Sequence, residues 1–573
     1  GNVNDPNLFA TSCAWVEIRF SMRAQPCLFS VLPRFGFGLL VLHLMANISC
    51  AGSALLPERV AKTAQERVDA GTYQTLVFGV VADGKSEVIG FGKLSDGKSL
   101  DGDTVYEIGS ITKTFTATLL ADAVLSGRFT LDTPIAELLP DFKIPERSAK
   151  KITLGEIGMH YSGLPRLPSN LLPKDAANPY ADYDIDKLKA FLGNYHLPRD
   201  PGASYEYSNL AFGLLGYALA ESTSYQELVE TKILHPLGMK MSGTVFTDAM
   251  RSHLAPGHDP AGNPAANWDF GVLGGAGAIR STANDMLRYL RANMGIDQTP
   301  LADAVKYAQE PRRDFETNLR IGLAWMTTGQ GIVWHSGGTG GYRSFIGFTT
   351  DGHKGVVILT NTMNDLDDLG VATLLENAPL APVNKVVTLP VALLDDYLGT
   401  YKLADNFLLK IFREGDQVYG QGTGQGPIQI FPSAPNEFFA KIVGVRISFT
   451  RDEKGQVNGL VLHQNGDHPA PKLSAAEVPP APKETALNPA TLQDYVGQYQ
   501  FDFGGVLDVT LKDTQLQAQL TGQPVVPIYA SAADKFFYRI VDAQLDFERD
   551  ADGKVIAVVL HQSGQNLRAP RKR

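Results

Sequence analysis

Cysteine is nearly absent from this chain of 573 residues, and its three cysteines, Cys13, Cys27 and Cys50, all lie near the N-terminus. Downstream of Cys50 no disulfide can form and no thiol can act as a nucleophile. Covalent catalysis by the remainder of the chain would therefore have to use a hydroxyl or a carboxylate.

The chain also has no excess of positive charge, since its formal net charge is −10. Proteins that bind nucleic acid present a basic surface, so we expect no nucleic-acid partner. A hydrophobic content of 44% and a charged content of 20% are typical of a globular protein. The length suits about two to four domains.

A long apolar run is missing from the N-terminal region as well. The apolar stretch Phe35–Met45 is too short to span a membrane. Two arginines precede it and small residues follow it, which is the arrangement of a secretory signal peptide. We expect residues 1–51 to be an N-terminal extension with a signal peptide, cleaved after Ala51 or Ala54. The mature protein would then be secreted or periplasmic and without a stable membrane span. A disordered or packed N-terminal arm is the alternative.

The order of secondary-structure patterns predicts an α+β domain at residues 52–380. LVFGVVADGKSEVIGFG, residues 76–92, has the pattern of two strands around an Asp83-Gly84 turn. Helical patterns and proline-rich loops follow, from Leu131 to about Asp314. The strand-like segments IGLAWM, GIVWHSG, SFIGFTT and GVVILTN come next, and NDLDDLGVATLLENA closes as a helix. This order indicates one antiparallel sheet built from both ends of the segment.

Beyond Pro379 the sequence is duplicated. DYLGTY at residue 396 matches DYVGQY at residue 494, an offset of 98, and FTRDEKGQVNGLVLHQNG matches FERDADGKVIAVVLHQSG at the same offset. Apolar and polar residues alternate between frequent turns, which predicts two small antiparallel β-barrels, at residues 381–475 and 476–573. His463 and His561 also match, but neither has a second ligand at a suitable spacing, so we predict no metal site and no cofactor.

A possible nucleophile lies in YEIGSITKTFTATLLADAVLSG, residues 106–127. Ser110 and Lys113 are three residues apart at the start of an apolar helical pattern, so they would share one face of a helix. A serine hydroxyl needs a general base, and a lysine can serve when burial or a nearby cation lowers its pKa. The spacing alone is common by chance, and a solvated surface lysine would also explain it.

Two further motifs follow in the chain. PGASYEYSNLAFG contains Tyr207 and Asn209, and VWHSGGTGGYRSFIGF comes later. The second motif supplies the remaining candidates, which are His335, Ser336, Gly337 and Gly338. Each has an ordinary alternative: a tyrosine packed in a core, an asparagine that caps a helix, a hydrogen-bonded core histidine and a plain glycine turn.

The order S-x-x-K, Y-x-N and then a basic residue-x-Gly resembles the serine β-lactamase and penicillin-binding-protein superfamily. It is most similar to class C β-lactamases and their DD-peptidase, D-aminopeptidase and esterase relatives. The flanking stretches SGLP, ILHPLGM and HSGGTGGYRSFIGF agree, and the resemblance covers about Glu58 to Ala378. It implies a β-lactamase/transpeptidase-like domain, an antiparallel sheet with a helical region, followed by two lipocalin-like barrels. It also implies a serine hydrolase that acts through an acyl-enzyme.

The resemblance implies a role for each candidate. Ser110 would attack the substrate carbonyl, and Lys113 and Tyr207 would share the work of the base, with Tyr207 ionised or sharing a proton among cations. Asn209 would bridge Lys113 and the substrate amide. The N–H groups of Ser110 and Gly338 would form the oxyanion hole. The substrate would lie along the strand that carries Ser336, Gly337 and Gly338.

His335 departs from the family pattern, because most such β-lactamases have a lysine there whose permanent charge binds the substrate carboxylate. A histidine is charged only part of the time near neutral pH. Strong hydrolysis of β-lactams is therefore in doubt, although β-lactams stay among the substrates that are open. Short or D-amino-acid-containing peptides, other small amides and esters all stay open as substrates.

Three hypotheses about function stay open. The first is a secreted serine hydrolase that cleaves amide or ester bonds of small molecules or short peptides. The second is a penicillin-binding-type protein that is acylated but turns over little. The third is a ligand-binding protein that acts through its C-terminal barrels. The sequence leaves the oligomeric state open.

Overall fold

The fold is described from a computed structural model. It covers residues 55–573 apart from short gaps at 99, 405–406, 424, 442–444, 465–466, 479–482, 503–504, 522–524, 540–542, 563–564 and 573. The predicted signal peptide and both predicted cleavage positions lie outside the described residues. Within the described ranges, no helix has both the length and the apolar character needed to cross a membrane.

The helices and strands of the first part of the chain follow the predicted order, in which a hairpin comes first, helices fill the middle, and strands and a helix come last. One further helix precedes the hairpin. The helices are α1 (Glu58–Asp69), α2 (Thr112–Leu125), α3 (Ile135–Leu138), α4 (Leu154–Gly158), α5 (Ile185–Asn194), α6 (Asn209–Ala220), α7 (Tyr225–Val229), α8 (Asp248–Ser252), α9 (Ala283–Asn293), α10 (Ala302–Gln309) and α11 (Asp367–Leu374). The strands are β1 (Thr75–Ala82), β2 (Lys85–Gly92), β3 (Val105–Glu107), β4 (Arg280–Thr282), β5 (Arg313–Glu316), β6 (Leu319–Ile321), β7 (Met326–Thr328), β8 (Ile332–Gly338), β9 (Arg343–Thr349) and β10 (Lys354–Thr360).

An eight-stranded antiparallel sheet forms one layer, in the order β2-β1-β10-β9-β8-β7-β6-β5. The hairpin β1–β2 pairs directly with β10, with Leu76 opposite Thr360, so the sheet uses both ends of the segment as predicted. Successive side chains of β1 point to opposite faces of the sheet. Val77 therefore packs in the core that contains α9, and Phe78 packs in the core formed with α1 and α11.

Helix α2 is the interior helix of the second layer. Of its 14 residues, 11 are buried, because it lies between α6, α10 and the turn at Gly271–Ala276. Its threonines satisfy their hydroxyls inside the core; Thr116, for example, donates to the Gly275 carbonyl at 2.8 Å. The predicted buried helix is confirmed, and its burial places Lys113 in the protein interior.

One predicted strand is wrong. IGLAWM does not form a single strand, because β6 ends at Ile321 and β7 begins at Met326. Between them the Gly322 N–H donates to the Trp325 carbonyl at 2.8 Å, and Ala324 has a φ of 62°. The apolar residues of this segment are buried in the core as a tight turn, which a pattern of hydrophobic residues does not distinguish from a strand.

The C-terminal part contains one helix and two eight-stranded antiparallel sheets. Helix α12 is Val391–Tyr397. The first sheet comprises β11 (Gly399–Ala404), β12 (Phe407–Glu414), β13 (Gln417–Gly422), β14 (Ile428–Ala434), β15 (Glu437–Ala440), β16 (Arg446–Arg451), β17 (Val457–His463) and β18 (Asp467–Pro471). The second comprises β19 (Gly497–Gln500), β20 (Val506–Lys512), β21 (Gln515–Leu520), β22 (Val526–Ala532), β23 (Lys535–Tyr538), β24 (Ala543–Arg549), β25 (Val555–Gln562) and β26 (Gln565–Pro570).

Each of these sheets curls until its two ends nearly meet. In the first, the Leu473 N–H donates to the Thr400 carbonyl at 2.8 Å, and in the second the Lys572 N–H donates to the Gln498 carbonyl at 2.7 Å. These bonds join the chain that follows the last strand to the first strand and remove most of the open edge. The predicted fold class, an α+β domain followed by two small antiparallel barrels, is confirmed.

We expect the first part of the chain to fold and act without the barrels. A chain that ends at Lys385 keeps the whole eight-stranded sheet and Ala381, whose carbonyl accepts from Arg67 at 3.0 Å. It should show a cooperative thermal transition by circular dichroism and should hydrolyse p-nitrophenyl acetate. A folded chain that is wholly inactive would mean that the barrels complete the site.

Candidate active site

Three elements far apart in sequence bring the candidate residues together. Ser110 lies in the short helical turn Gly109–Ile111 before α2, and Lys113 lies in the first turn of α2. Tyr207 and Asn209 lie at the start of α6, and His335 lies in the second half of β8. Ser110, Tyr207 and Asn209 are half-buried, whereas Lys113 and His335 are buried. The three partly exposed side chains can contact a substrate. Lys113 and His335 can act on it only through neighbouring side chains or when the substrate lies directly against them.

The amine of Lys113 lies among three oxygen atoms. Its Nζ is 2.9 Å from the Ser110 Oγ, 2.8 Å from the Asn209 Oδ1 and 2.8 Å from the Ala276 carbonyl oxygen. An amide oxygen and a carbonyl oxygen can only accept hydrogen bonds. They therefore take both hydrogens of a neutral amine, and its lone pair is left directed at the serine hydroxyl.

Burial favours this neutral amine. Removal of Lys113 from water lowers its pKa well below its usual range, and the positive charge of Arg166 lowers it further. No carboxylate compensates among the three hydrogen-bond partners. The environment therefore supplies what the spacing of Ser110 and Lys113 could not guarantee, a lysine whose neutral, proton-accepting form is favoured.

Asn209 is available to Lys113 because its neighbour caps the helix. The Ser208 hydroxyl accepts from the Ala211 N–H at 2.9 Å and is the N-cap of α6. This arrangement leaves the side chain of Asn209 at the first helical position, where its Nδ2 donates to the Tyr180 hydroxyl at 3.3 Å and its Oδ1 accepts from Lys113. The alternative of Asn209 as the cap is wrong.

Tyr207 is a neutral phenol in the resting protein. Burial raises its pKa to about 12, although interactions with the Ser110 hydroxyl and the charge of Arg166 oppose the rise. The expectation of an ionised Tyr207 is therefore wrong. The ring has cations near it, with Lys113 Nζ at 4.8 Å and the Arg166 guanidinium carbon at 5.1 Å from its centroid. Tyr207 can donate a proton at this site more readily than it can accept one.

His160 positions Tyr207, and the sequence motifs did not single it out, although it lies two residues before SGLP. Its ring stacks on the ring of Tyr207 with centroids 4.4 Å apart and an interplanar angle of 29°. Its Nδ1 accepts from the Ser208 N–H at 3.1 Å, so a neutral ring carries its proton on Nε2. Burial lowers the pKa of His160 well below its usual range, and the positive charge of Arg166 adds to the effect.

His335 is neutral at physiological pH. Burial lowers its pKa to about 3, so the expectation of a part-time charge is wrong. The Nδ1 lies 2.6 Å from the Ser336 carbonyl oxygen and donates to it, which leaves Nε2 as an acceptor. Within the described residues, this buried Nε2 has no hydrogen-bond partner. His335 can offer a substrate a lone pair and no positive charge.

Two glycines let β8 run against the turn that holds Ser110. A Cβ on Gly337 would lie 2.0 Å from the Ile108 carbonyl oxygen and 2.9 Å from the Ser110 nitrogen. A Cβ on Gly109, whose φ is 50°, would lie 2.4 Å from the Gly338 nitrogen. The backbone nitrogens of Ser110 and Gly338 therefore come close together, as an oxyanion hole requires.

The β7-facing edge of β8 is paired only over its first half. The register between β7 and β8 ends at Trp334, so the described pairing leaves 335–338 unmatched on that side. An extended substrate could lie along this edge beside Ser110. Ser336 also lies here, but its side chain faces the opposite side of the strand from His335 and interacts with the carboxyl of Asp367.

Two arginines near the site were also missed. Arg166 follows SGLP, and Arg343 follows the glycine run of the third motif. Both contribute positive potential at the site, and the charge of each therefore lowers the pKa of Tyr207. The sequence signal that could have identified these two arginines is their position within or directly beside the quoted motifs. Within the described residues, no group of three or more His, Cys, Asp or Glu side chains is arranged to hold a metal ion.

Comparison with known proteins assigns the family. Residues 60–378, more than half of the chain, match the Beta-lactamase family, and the chain therefore belongs to that family of serine hydrolases. Residues 383–475 and 481–570 each match one domain of unknown function, which agrees with the duplication. The predicted resemblance is confirmed, and with it the prediction that the protein is a hydrolytic enzyme.

Individual relatives are distant. A beta-lactamase of Psychrobacter immobilis is 30% identical over 254 residues, which are 42% of this chain and 58% of that protein. A D-alanyl-D-alanine-carboxypeptidase/endopeptidase, AmpH, of Escherichia coli (strain K12) is 28% identical over 340 residues, 52% of this chain and 85% of that protein. The solved structure of a beta-lactamase/D-alanine carboxypeptidase from Pseudomonas syringae has a TM-score of 0.50 at 22% identity and covers 57% of this chain and 100% of its own. That likeness concerns the fold.

We expect Arg166→Gln to shift the pH dependence of activity. The charge of Arg166 lowers the pKa of Lys113, so its removal should raise that pKa. A general base works only when unprotonated, and the acid limb of kcat/KM for a neutral ester should therefore move to higher pH. The backbone carbonyl of Arg166, which accepts from the Asn209 N–H at 3.0 Å, is untouched.

Arg128→Gln provides the matched control, because Arg128 is exposed and pairs with Glu221 on the surface. Its pH profile should coincide with that of the unmodified protein. An acid limb that stays in place in Arg166→Gln, or that moves to lower pH, would contradict the assignment of Lys113 as the group that titrates.

Proposed function

We propose that the protein is a secreted or periplasmic serine hydrolase that cleaves amide or ester bonds of small substrates through an acyl-enzyme on Ser110. The observation that carries the proposal is the placement of Lys113, whose two hydrogens have acceptors and whose lone pair faces the Ser110 hydroxyl. A surface lysine would have neither the burial nor the acceptors.

Acylation follows from this geometry. As the Ser110 oxygen attacks the substrate carbonyl, its proton passes to Lys113, which becomes an ammonium ion. The negative charge that develops on the carbonyl oxygen is stabilised by the N–H groups of Ser110 and Gly338. Collapse of the tetrahedral intermediate breaks the bond to the leaving group, whose departing atom requires a proton.

Tyr207 is suited to deliver that proton. Its hydroxyl is protonated in the resting protein and interacts with the Ser110 hydroxyl. Donation to the leaving amine or alcohol creates a phenolate, which the ammonium of Lys113 reprotonates. For deacylation, water attacks the acyl carbon and gives one proton to the Lys113 amine. Collapse of the tetrahedral intermediate then breaks the bond between the acyl carbon and the Ser110 oxygen, which takes that proton back from Lys113 as the carboxylic acid product leaves.

Asn209 and His335 would act on the bound substrate. The Oδ1 of Asn209 holds Lys113, and its Nδ2 is partly exposed and can also reach a substrate carbonyl. His335 would accept a hydrogen bond through Nε2. A neutral histidine in place of a lysine favours short peptides, small amides and esters over substrates that are bound through a carboxylate.

A single assay separates this proposal from a protein that is acylated without turnover. We expect steady-state release of p-nitrophenol from p-nitrophenyl acetate, together with a fluorophosphonate adduct on the peptide that contains Ser110. Ser110→Ala should abolish both. Lys113→Ala and Tyr207→Phe should each lower turnover by roughly 100-fold to 10,000-fold, and the two losses should not add, because the groups share one proton network.

Ser126→Ala is the control, since Ser126 is an exposed serine at the end of the same helix. It should keep full turnover and labelling. One equivalent of released product with no steady state would indicate the penicillin-binding alternative. An adduct on another serine would overturn the assignment, and an inactive, unlabelled but folded protein would favour a role through the barrels.

A further inference from the structure

Arg343 is a cationic residue beside the strand that would hold the substrate. It begins β9 and lies directly opposite Gly338, the last residue of β8. Its positive charge lowers the pKa of both Tyr207 and His335, so it acts electrostatically on the site. Because His335 is neutral, Arg343 is the group at this end of β8 to which a substrate carboxylate would be attracted.

Two carboxylates already form ion pairs with Arg343. The Nη2 of Arg343 lies 3.2 Å from the Asp365 Oδ1 and 3.6 Å from the Asp367 Oδ2. The side chains of Arg343 and Asp367 are only 18% and 16% exposed, so water screens these contacts weakly. One positive charge thus faces two acidic groups at the start of α11.

Asp367 also reaches the substrate strand. Its carboxyl interacts with the hydroxyl of Ser336, next to His335 on β8. Its Oδ1 is buried and has no hydrogen-bond partner within the described residues. Burial raises the pKa of Asp367 to about 7, so above that pH its carboxyl is a buried acceptor that a donor from a bound molecule can satisfy and another carboxylate cannot.

We propose that Asp365 and Asp367 are specificity-determining residues that hold Arg343 and select substrates without a carboxylate on the leaving group. A substrate carboxylate could reach Arg343 only by displacing one of these acids, and it would then lie beside the other. Neutral amides and esters meet no such repulsion, and an N–H on the leaving group could donate to Asp367. The inference rests on the proposed function and narrows it to one class of substrate.

Two aryl esters test this selection in assays at a pH above the pKa of Asp367, where its carboxyl is ionised. Both carry the same phenylacetyl group; the leaving group is 3-hydroxybenzamide in one and 3-hydroxybenzoate in the other. The measured quantity is the ratio of kcat/KM for the neutral ester to kcat/KM for the carboxylate ester. We expect the unmodified protein to favour the neutral ester by about tenfold or more, because like charges close together are strongly unfavourable.

The variants Asp367→Asn and Asp365→Asn/Asp367→Asn keep the shape of the side chains and remove the charges. The ratio should fall by about tenfold in the double variant, through a lower KM for the carboxylate ester. Asp368→Asn is the matched control, because Asp368 lies on the same helix but pairs with Arg67 at 2.8 Å. It should leave the ratio as in the unmodified protein.

The outcomes separate this inference from the function on which it rests. Hydrolysis of both esters with a ratio near one, or a ratio that the asparagine variants do not change, overturns the selection by Asp365 and Asp367 and leaves the serine hydrolase intact. Failure of the folded, unmodified protein to hydrolyse either ester overturns the proposed function and the inference together.

Discussion

The burial of one lysine amine is the constraint on which the site depends. An ammonium ion without a carboxylate partner is expensive to bury, and this cost lowers the pKa of Lys113 and favours its neutral form. The two acceptor oxygens that take its hydrogens come from α6 and from the turn before β4. The direction of the lone pair is therefore set by tertiary packing of elements that lie far from α2 in the sequence.

The neighbouring groups are consistent with a site in which neutral forms dominate. Tyr207 stays protonated and His335 and His160 stay unprotonated, each because burial disfavours its charged form. The permanent charges come from arginines at the margin. Arg166 acts on Lys113 and Tyr207 from the α6 side, and Arg343 acts from β9 under the control of two carboxylates. The groups that carry out the proposed reaction are thus different from the charged groups that select the substrate.

Much of this could be predicted from sequence because the signals are local or repeated. The helical spacing of Ser110 and Lys113, the hairpin around Asp83 and the duplication after Pro379 all survive in the fold. The protonation states could not be predicted, because the charge on His335 depends on how completely the folded domain buries its ring. The pairing of Arg343 with α11 likewise depends on how that helix packs on the sheet. The strand predicted for IGLAWM was wrong for a related reason, since a buried turn and a buried strand share one hydrophobic pattern.

The most direct measurement is the pKa of Lys113 itself. Protein labelled with [6-¹³C]lysine gives one Cε resonance for each lysine, and the resonance that is missing in Lys113→Met identifies residue 113. The account predicts that this resonance titrates well below the ordinary lysine value of 10.5 and that its midpoint rises in Arg166→Gln. A midpoint near 10.5 in the folded protein would mean that Lys113 is an ammonium ion at neutral pH, and it could not then be the base that activates Ser110.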